Sequence, residues 1–212
     1  MGGAQAGELY IGGGFGSASA DDASTNAAAR VKSQTLRLRT NSANVSSSAS
    51  YDDSGGTGYS VLAGYRFTSY LSAEAAYDYL GKYNFQATFV RSGVVITRTE
   101  QNEVSAFSVS GLLTIPIEKL AAIYGKVGVA ATTDKMTCSI SNGTCNSESD
   151  VSKSGMAGIG GILVLGNGEV RLEYDQFQDV GDKNNEYTAG TFSLLKLEYV
   201  HYFSLEKSLE DF

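Results

Sequence analysis

Apolar side chains recur at every second position through eight separate stretches of the chain. Leu9, Ile11, Gly13 and Phe15 alternate with Glu8, Tyr10, Gly12 and Gly14. Tyr59, Val61, Ala63, Tyr65 and Phe67 form a second set, and Leu71, Ala73, Ala75, Tyr77 and Tyr79 a third. Phe107 to Ile115, Ile123 to Val129, Val170 to Tyr174 and Leu195 to Tyr199 repeat the pattern. Gly155 to Leu165 is small or apolar on both faces, so its parity is ambiguous. A period of two predicts strands with two distinct faces.

The connections alternate in length. Thr68-Ser69-Tyr70, 116–120 and Gly166-Asn167-Gly168 are tight, whereas 16–58, 81–103, 131–154 and 177–190 are long and polar. Short links at one end and long loops at the other predict an up-and-down antiparallel meander. Two stretches inside the long segments keep alternating, 30–40 and 85–98, the latter folding back at Ser92-Gly93. Both are expected to be hairpins continuing the main sheet. The remainder of the first loop, rich in Ser, Ala and Asp, is expected to be mobile.

The charges decide which face meets what. Glu8, Arg66, Glu74, Asp78, Lys126, Arg171, Glu173, Asp175, Lys196 and Glu198 all occupy one parity class, and the other class is apolar. A soluble eight-stranded carrier would turn the charges to water, whereas a membrane barrel turns them inward. Aromatic residues at the strand ends (Tyr65, Phe67, Tyr70, Tyr79, Tyr199, Tyr202 and Phe203) suit interfacial girdles. Eight antiparallel strands can also close without an edge, leaving no unpaired backbone in hydrocarbon. The expected fold is therefore all-β, an eight-stranded antiparallel up-and-down transmembrane β-barrel with long extracellular loops and short periplasmic turns. Its interior is just wide enough for side chains. Glu74 is expected to pair with Arg171, with Lys126, Glu173 and Arg66 completing an interior network that is structural or gates a narrow water path.

Composition agrees with a β-rich chain: 25 of 212 residues are Gly, 22 are Tyr or Phe, and one is Pro. A formal charge of −7 repels phosphate, so sequence-independent nucleic-acid binding is not expected. Cys138 and Cys145 flank Asn142-Gly143, a dipeptide that favours a tight hairpin turn. That spacing predicts a disulfide formed outside the cytoplasm, two unrelated thiols being the alternative. A zinc site would need two further ligands, and none lie nearby.

These segments resemble the barrel domain of the outer membrane protein A family. Leu71-Ser-Ala-Glu-Ala-Ala-Tyr-Asp-Tyr-Leu-Gly-Lys82 looks like its third strand, Ala122-Ile-Tyr-Gly-Lys-Val-Gly128 its fifth, and Val170-Arg-Leu-Glu-Tyr-Asp175 its seventh. Phe192 to Phe203 looks like its last strand with the terminal aromatic. The resemblance implies a barrel over 7–203, preceded by a six-residue remnant and followed by a tail over 204–212. It also implies an outer membrane of Gram-negative type, contact with its lipid and lipopolysaccharide, and recognition by the barrel assembly machinery through Tyr199 and Phe203. Glu74, Lys126, Arg171 and Glu173 match inward charged sites of the family. Leu112 and Leu163 stand where the family places a Lys and a Glu. The family's periplasmic peptidoglycan-binding domain has no counterpart here, as in an excised barrel or a barrel-only member.

Chemistry is short of parts. The one histidine, His201, lies near the periplasmic end of the last strand, away from where barrel enzymes place theirs. The glycines at 12–14 and 16 lie within a strand and lack the Lys-Ser/Thr that closes a nucleotide loop. Asp21-Asp22 and Asp52-Asp53 lack calcium-motif spacing. No enzyme activity, cofactor or metal is expected. The expected function is a structural outer-membrane barrel whose loops bind an extracellular ligand or adhere, with a narrow pore or a transporter of small solutes or hydrophobic molecules as the alternative.

Overall fold

The computed structural model describes residues 7–20, 45–52, 56–91, 94–141, 147–180 and 190–204. The strands are β1 (Glu8–Ala20), β2 (Val45–Asp52), β3 (Thr57–Arg66), β4 (Leu71–Arg91), β5 (Val94–Pro116), β6 (Ala121–Ile140), β7 (Glu148–Leu165), β8 (Gly168–Val180) and β9 (Gly190–Ser204). All pairings are antiparallel. β3 joins β1, β1 joins β9, the order runs back through β8, β7, β6 and β5, and a β4–β5 ladder closes the ring. β2 pairs with the upper half of β4 and continues the line of β3, so nine strands make eight staves. The described residues contain no helix long and apolar enough to cross a membrane.

Register fixes the tilt. The pairings from Ile115 run through Ile123, Gly161, Leu172, Leu197, Phe15, Tyr59 and Tyr79, and return to β5 at Ser105. The return point lies ten residues from the start, which is the shear of the barrel. For eight strands about 4.8 Å apart, this shear sets a tilt of about 40°.

The outer wall is an apolar band. Leu9, Ile11, Phe15, Val61, Phe107, Val109, Leu113, Ile123, Val127, Val129, Ile159, Leu172 and Leu197 all point outward and are exposed. The band ends at the first polar outward residue of each strand: Ser17, Thr57, Lys82, Ser105, Thr133, Lys153, Gln176 and Ser193. Exposed Phe67, Tyr70, Tyr199 and Phe203 line its lower rim. His201, stacked edge-on against Phe203 with centroids 4.9 Å apart, joins them.

Three sequence expectations are corrected. The Ser-rich first loop contains a strand, β2, whose backbone is laddered to β4. Tyr202 is no girdle residue: it points into the barrel beside Arg66 and Tyr10. Leu163 faces outward, and its neighbour Ile162 is the buried one, because β7 turns its even positions inward. The hairpin expected at 85–98 does continue the main sheet, as the upper part of β4 and β5. The hairpin expected at 30–40 lies outside the described residues, as does Cys145.

A bulge explains one change of parity. The β4–β5 register shifts between Tyr79 and Gly81, and Gly81 has φ of 97°, a conformation natural to glycine. Below it the odd residues of β4 face lipid, whereas above it Lys82 faces out and Tyr83 is buried inside.

Candidate functional site: the barrel interior

Side chains fill the interior in layers. At the bottom, the Arg66 guanidinium lies 4.1 Å from the centroid of the Tyr202 ring and donates to its hydroxyl. Arg66 Nη2 also lies 3.3 Å from Glu169 Oε2. Arg171 comes next. Its Nε donates to Glu169 Oε1 at 2.6 Å and its Nη1 to Glu74 Oε2 at 2.8 Å. Tyr10 donates to the same Glu74 oxygen at 3.3 Å, and the Tyr10 and Tyr124 rings flank the guanidinium. Two arginines thus face two carboxylates, a balanced lower half.

Lys126 links the halves. Its Nζ lies 2.5 Å from Glu173 Oε1, 3.4 Å from Glu74 Oε1 and 3.2 Å from Asp175 Oδ2. Tyr124 donates to the other oxygen of Glu173. Above it, Lys196 Nζ stands among four carboxylates, 3.0 Å from Asp78 and Glu173 and 3.1 Å from Asp175 and Glu198. Two ammonium groups therefore serve four carboxylates in the upper half. Asp175 and Glu198 touch the lysines as ion pairs, but neither of their oxygens receives a hydrogen bond. All of these side chains in the upper half are fully buried. Burial on this scale costs several kcal/mol per ion unless partners compensate it.

The charged column is closed from above by carbon. Leu80, Tyr83, Met156, Phe177, Phe192 and Leu194 pack into one apolar cluster across the barrel. The Tyr83 and Phe192 rings meet edge-on at 5.4 Å. Below, Leu112, Tyr124 and Ile162 form a smaller apolar group, placing Leu112 inside the barrel. Glycines make room for the large rings: a Cβ on Gly160 would stand 2.5 Å from Tyr124 Cζ.

All five charged residues singled out from the sequence point into this column. Glu169 was overlooked there because it abuts the β7–β8 turn, although 169, 171, 173 and 175 share one parity. Among the described residues no group of His, Cys, Asp and Glu is arranged to hold a metal ion. His201 lies on the outer wall away from any acid–base partner in this network.

Comparison with known proteins places this geometry. The chain is similar in structure to Neisserial surface protein A, at 12% identity over 92% of this chain and 97% of that one, with a TM-score of 0.55. It is similar to the outer membrane protein OprG of Pseudomonas aeruginosa, at 14% identity over 93% and 97%, with a TM-score of 0.54. Ail, the attachment invasion locus protein of Yersinia pestis, aligns at 14% identity over 94% and 100%, with a TM-score of 0.50. At such identities the likeness shows the fold. No curated protein matches the chain. The family described as "OmpA-like transmembrane domain" matches residues 4–207, a span that takes in all eight staves. The chain belongs to the OmpA-like transmembrane domain family, whose barrels reside in the outer membrane of Gram-negative bacteria.

Proposed function

We propose that this outer-membrane barrel is a structural and adhesive protein, with a plugged wall that anchors extracellular hairpins for binding. The family is non-enzymatic. The observation that carries the reading is the filled interior. A buried ion network lies beneath an apolar cluster centred on Phe177, Phe192 and Leu194, which supports a plug over a channel. The β4–β5 hairpin supports the adhesive part, because it continues well past the apolar band and ends in exposed Val94 and Val95. Loops and hairpins on a rigid scaffold are where binding resides. Ail, a barrel of the same fold, is by its name an attachment protein. In this reading Tyr199 and Phe203 present the last strand to the barrel assembly machinery, 7–203 is the folding unit, and Cys138 pairs with Cys145 to brace the second long hairpin.

The test compares attachment of bacteria displaying the native protein with that of bacteria displaying a version whose hairpin is shortened across 85–98. Loss of attachment with unchanged surface abundance supports adhesion, and equal attachment refutes it. A narrow pore is the second reading, favoured by the polar column running along the barrel axis. Planar-bilayer recording separates the two, since reproducible unitary conductance from the native protein would overturn the plug.

A further inference from the structure

The apolar wall is not equally tall all round. On β5 and its turn it runs from Ile117 up to Ser105, on β6 from Ala121 to Thr133, and on β7 from Leu165 to Lys153. Each run is twelve residues, about 30 Å along the barrel axis at about 2.5 Å per residue in the tilted wall. On β8 the run extends only from Gly168 to Gln176, and on β1 from Leu9 to Ser17, eight residues and about 20 Å. On β9 the polar residues His201 and Ser193 bracket an equally short run. Tyrosine hydroxyls mark both edges of this short side. Tyr174 donates to Ser193 Oγ at 2.9 Å at the top, and the Tyr199 hydroxyl lies beside Gly168 at the bottom.

Register places these edges on one scale. Each register step from β5 through β6, β7, β8 and β9 to β1 climbs about 3 Å. Measured from Ile115, the upper edge stands about 25–28 Å high at Ser105, Thr133 and Lys153. It stands only about 19–23 Å high at Gln176, Ser193 and Ser17. The lower edge moves the opposite way. It lies about 4 Å below Ile115 at Leu120 and Leu165, and level with it within about 1 Å at Gly168 and Leu9. A tilt of the barrel would lower one edge and lower the other with it, so tilting does not reconcile the two sides. β1 stands across the ring from β6, which puts the short wall opposite the tall one.

We propose that the barrel thins the membrane against its β8–β9–β1 face, drawing the two polar layers together there by about 10 Å relative to the β5–β7 face. The tall side matches a hydrocarbon core of about 30 Å and leaves the bilayer at rest. On the short side an unthinned bilayer would enclose the Gln176 amide and the Ser17 hydroxyl. Lipid yields to such a mismatch by thinning, whereas unpaired polar groups resist transfer into hydrocarbon. The acyl chains that suit this face are short or disordered ones. The inference rests on the outer-membrane placement of the family and not on the adhesive reading.

The test measures depth at equal heights on the two sides. In a background with Cys138→Ser and Cys145→Ser, nitroxides are attached at Ser17→Cys, Gln176→Cys, Phe107→Cys and Val129→Cys, four outward positions within about 3 Å of one level. Leu9→Cys and Ile115→Cys form a second level at the lower edge. The proteins are folded into phosphatidylcholine vesicles of 18-carbon chains, and power saturation compares access to oxygen with access to a water-soluble nickel chelate. Labels at 17, 176 and 9 are expected at the polar interface, and those at 107, 129 and 115 within the hydrocarbon. Equal depths at equal heights overturn the proposal, and a label at 9 deeper than one at 115 overturns it in favour of a tilted barrel. Unlabelled Ser17→Leu combined with Gln176→Leu should raise the urea midpoint in 18-carbon vesicles relative to that in 12-carbon vesicles, and an unchanged difference also overturns it. All of these positions lie on the outer wall, and a retained mobility shift on unheated electrophoresis shows that the variants fold, which keeps failure of this proposal distinct from failure of the barrel.

Discussion

The ring of Tyr124 lies over Gly160, its register partner on β7, and the missing side chain is what lets the tyrosine reach Glu173. A Cβ there would stand 2.5 Å from Tyr124 Cζ. Gly160→Val should therefore destabilise the barrel by about 1–3 kcal/mol, the usual cost of overpacking. Urea titration in lipid vesicles measures it. Combining the change with Tyr124→Ala should recover part of the loss, since the clash then has no second party. A neutral Gly160→Val would mean that the ring does not occupy this space.

Val127 is the plainest test of which face meets lipid. It is 68% exposed, midway up the outward face of β6, and directly follows buried Lys126. Val127→Arg should cost about 2–4 kcal/mol in a bilayer, the penalty for a cation near the midplane. On the outer face of a water-soluble sheet the same change would be nearly neutral.

Lys196 holds four carboxylates together. Lys196→Met keeps the volume and removes the charge, leaving Asp78, Asp175 and Glu198 to face each other without their shared cation. A loss of about 3–5 kcal/mol is expected, as for other buried pairs broken on one side. Lys196→Met combined with Asp78→Asn and Glu198→Gln should be milder than the single change, because the stranded charges are then removed as well. The same vesicle-based urea titration reads both.

Most of the architecture was legible before any coordinates, and the reason is physical. A strand buried against two different media must segregate its residues by parity, and the charges at 74, 126, 171, 173 and 196 did so without exception. β7 was opaque because Gly155, Ala157, Gly158, Gly160 and Gly161 are small on both faces, leaving no contrast to read. Tyr202 misled because a tyrosine suits an interfacial girdle and an ionic interior equally well. β2 was missed because serine favours turns as readily as a ladder to β4. The convergence on Lys196 was beyond reach for a different reason. It joins β4, β8 and β9, and which rungs meet depends on the shear of ten, a closure property that no single strand encodes.

Gly81 governs what lies above it. Gly81→Val places a branched side chain at φ of 97°, where a Cβ would also stand 3.2 Å from the backbone of Gly56. Such a residue costs of order 1–3 kcal/mol at this backbone conformation. The strain should surface locally, as faster proteolysis within 82–91 while the lower wall keeps its resistance. Uniform loss of resistance along the chain would argue that the bulge is part of the barrel proper.

The hairpin above that bulge also determines how far the molecule can reach. From Ser105 at the edge of the apolar band to Val94 at the tip, β5 rises eleven residues, about 28 Å at the tilt of the wall. The polar layer of a bilayer is only about 5–8 Å deep on each side. The two valines are therefore carried clear of the lipid headgroup layer, and whatever grips them does so at a distance fixed by the ladder between β4 and β5.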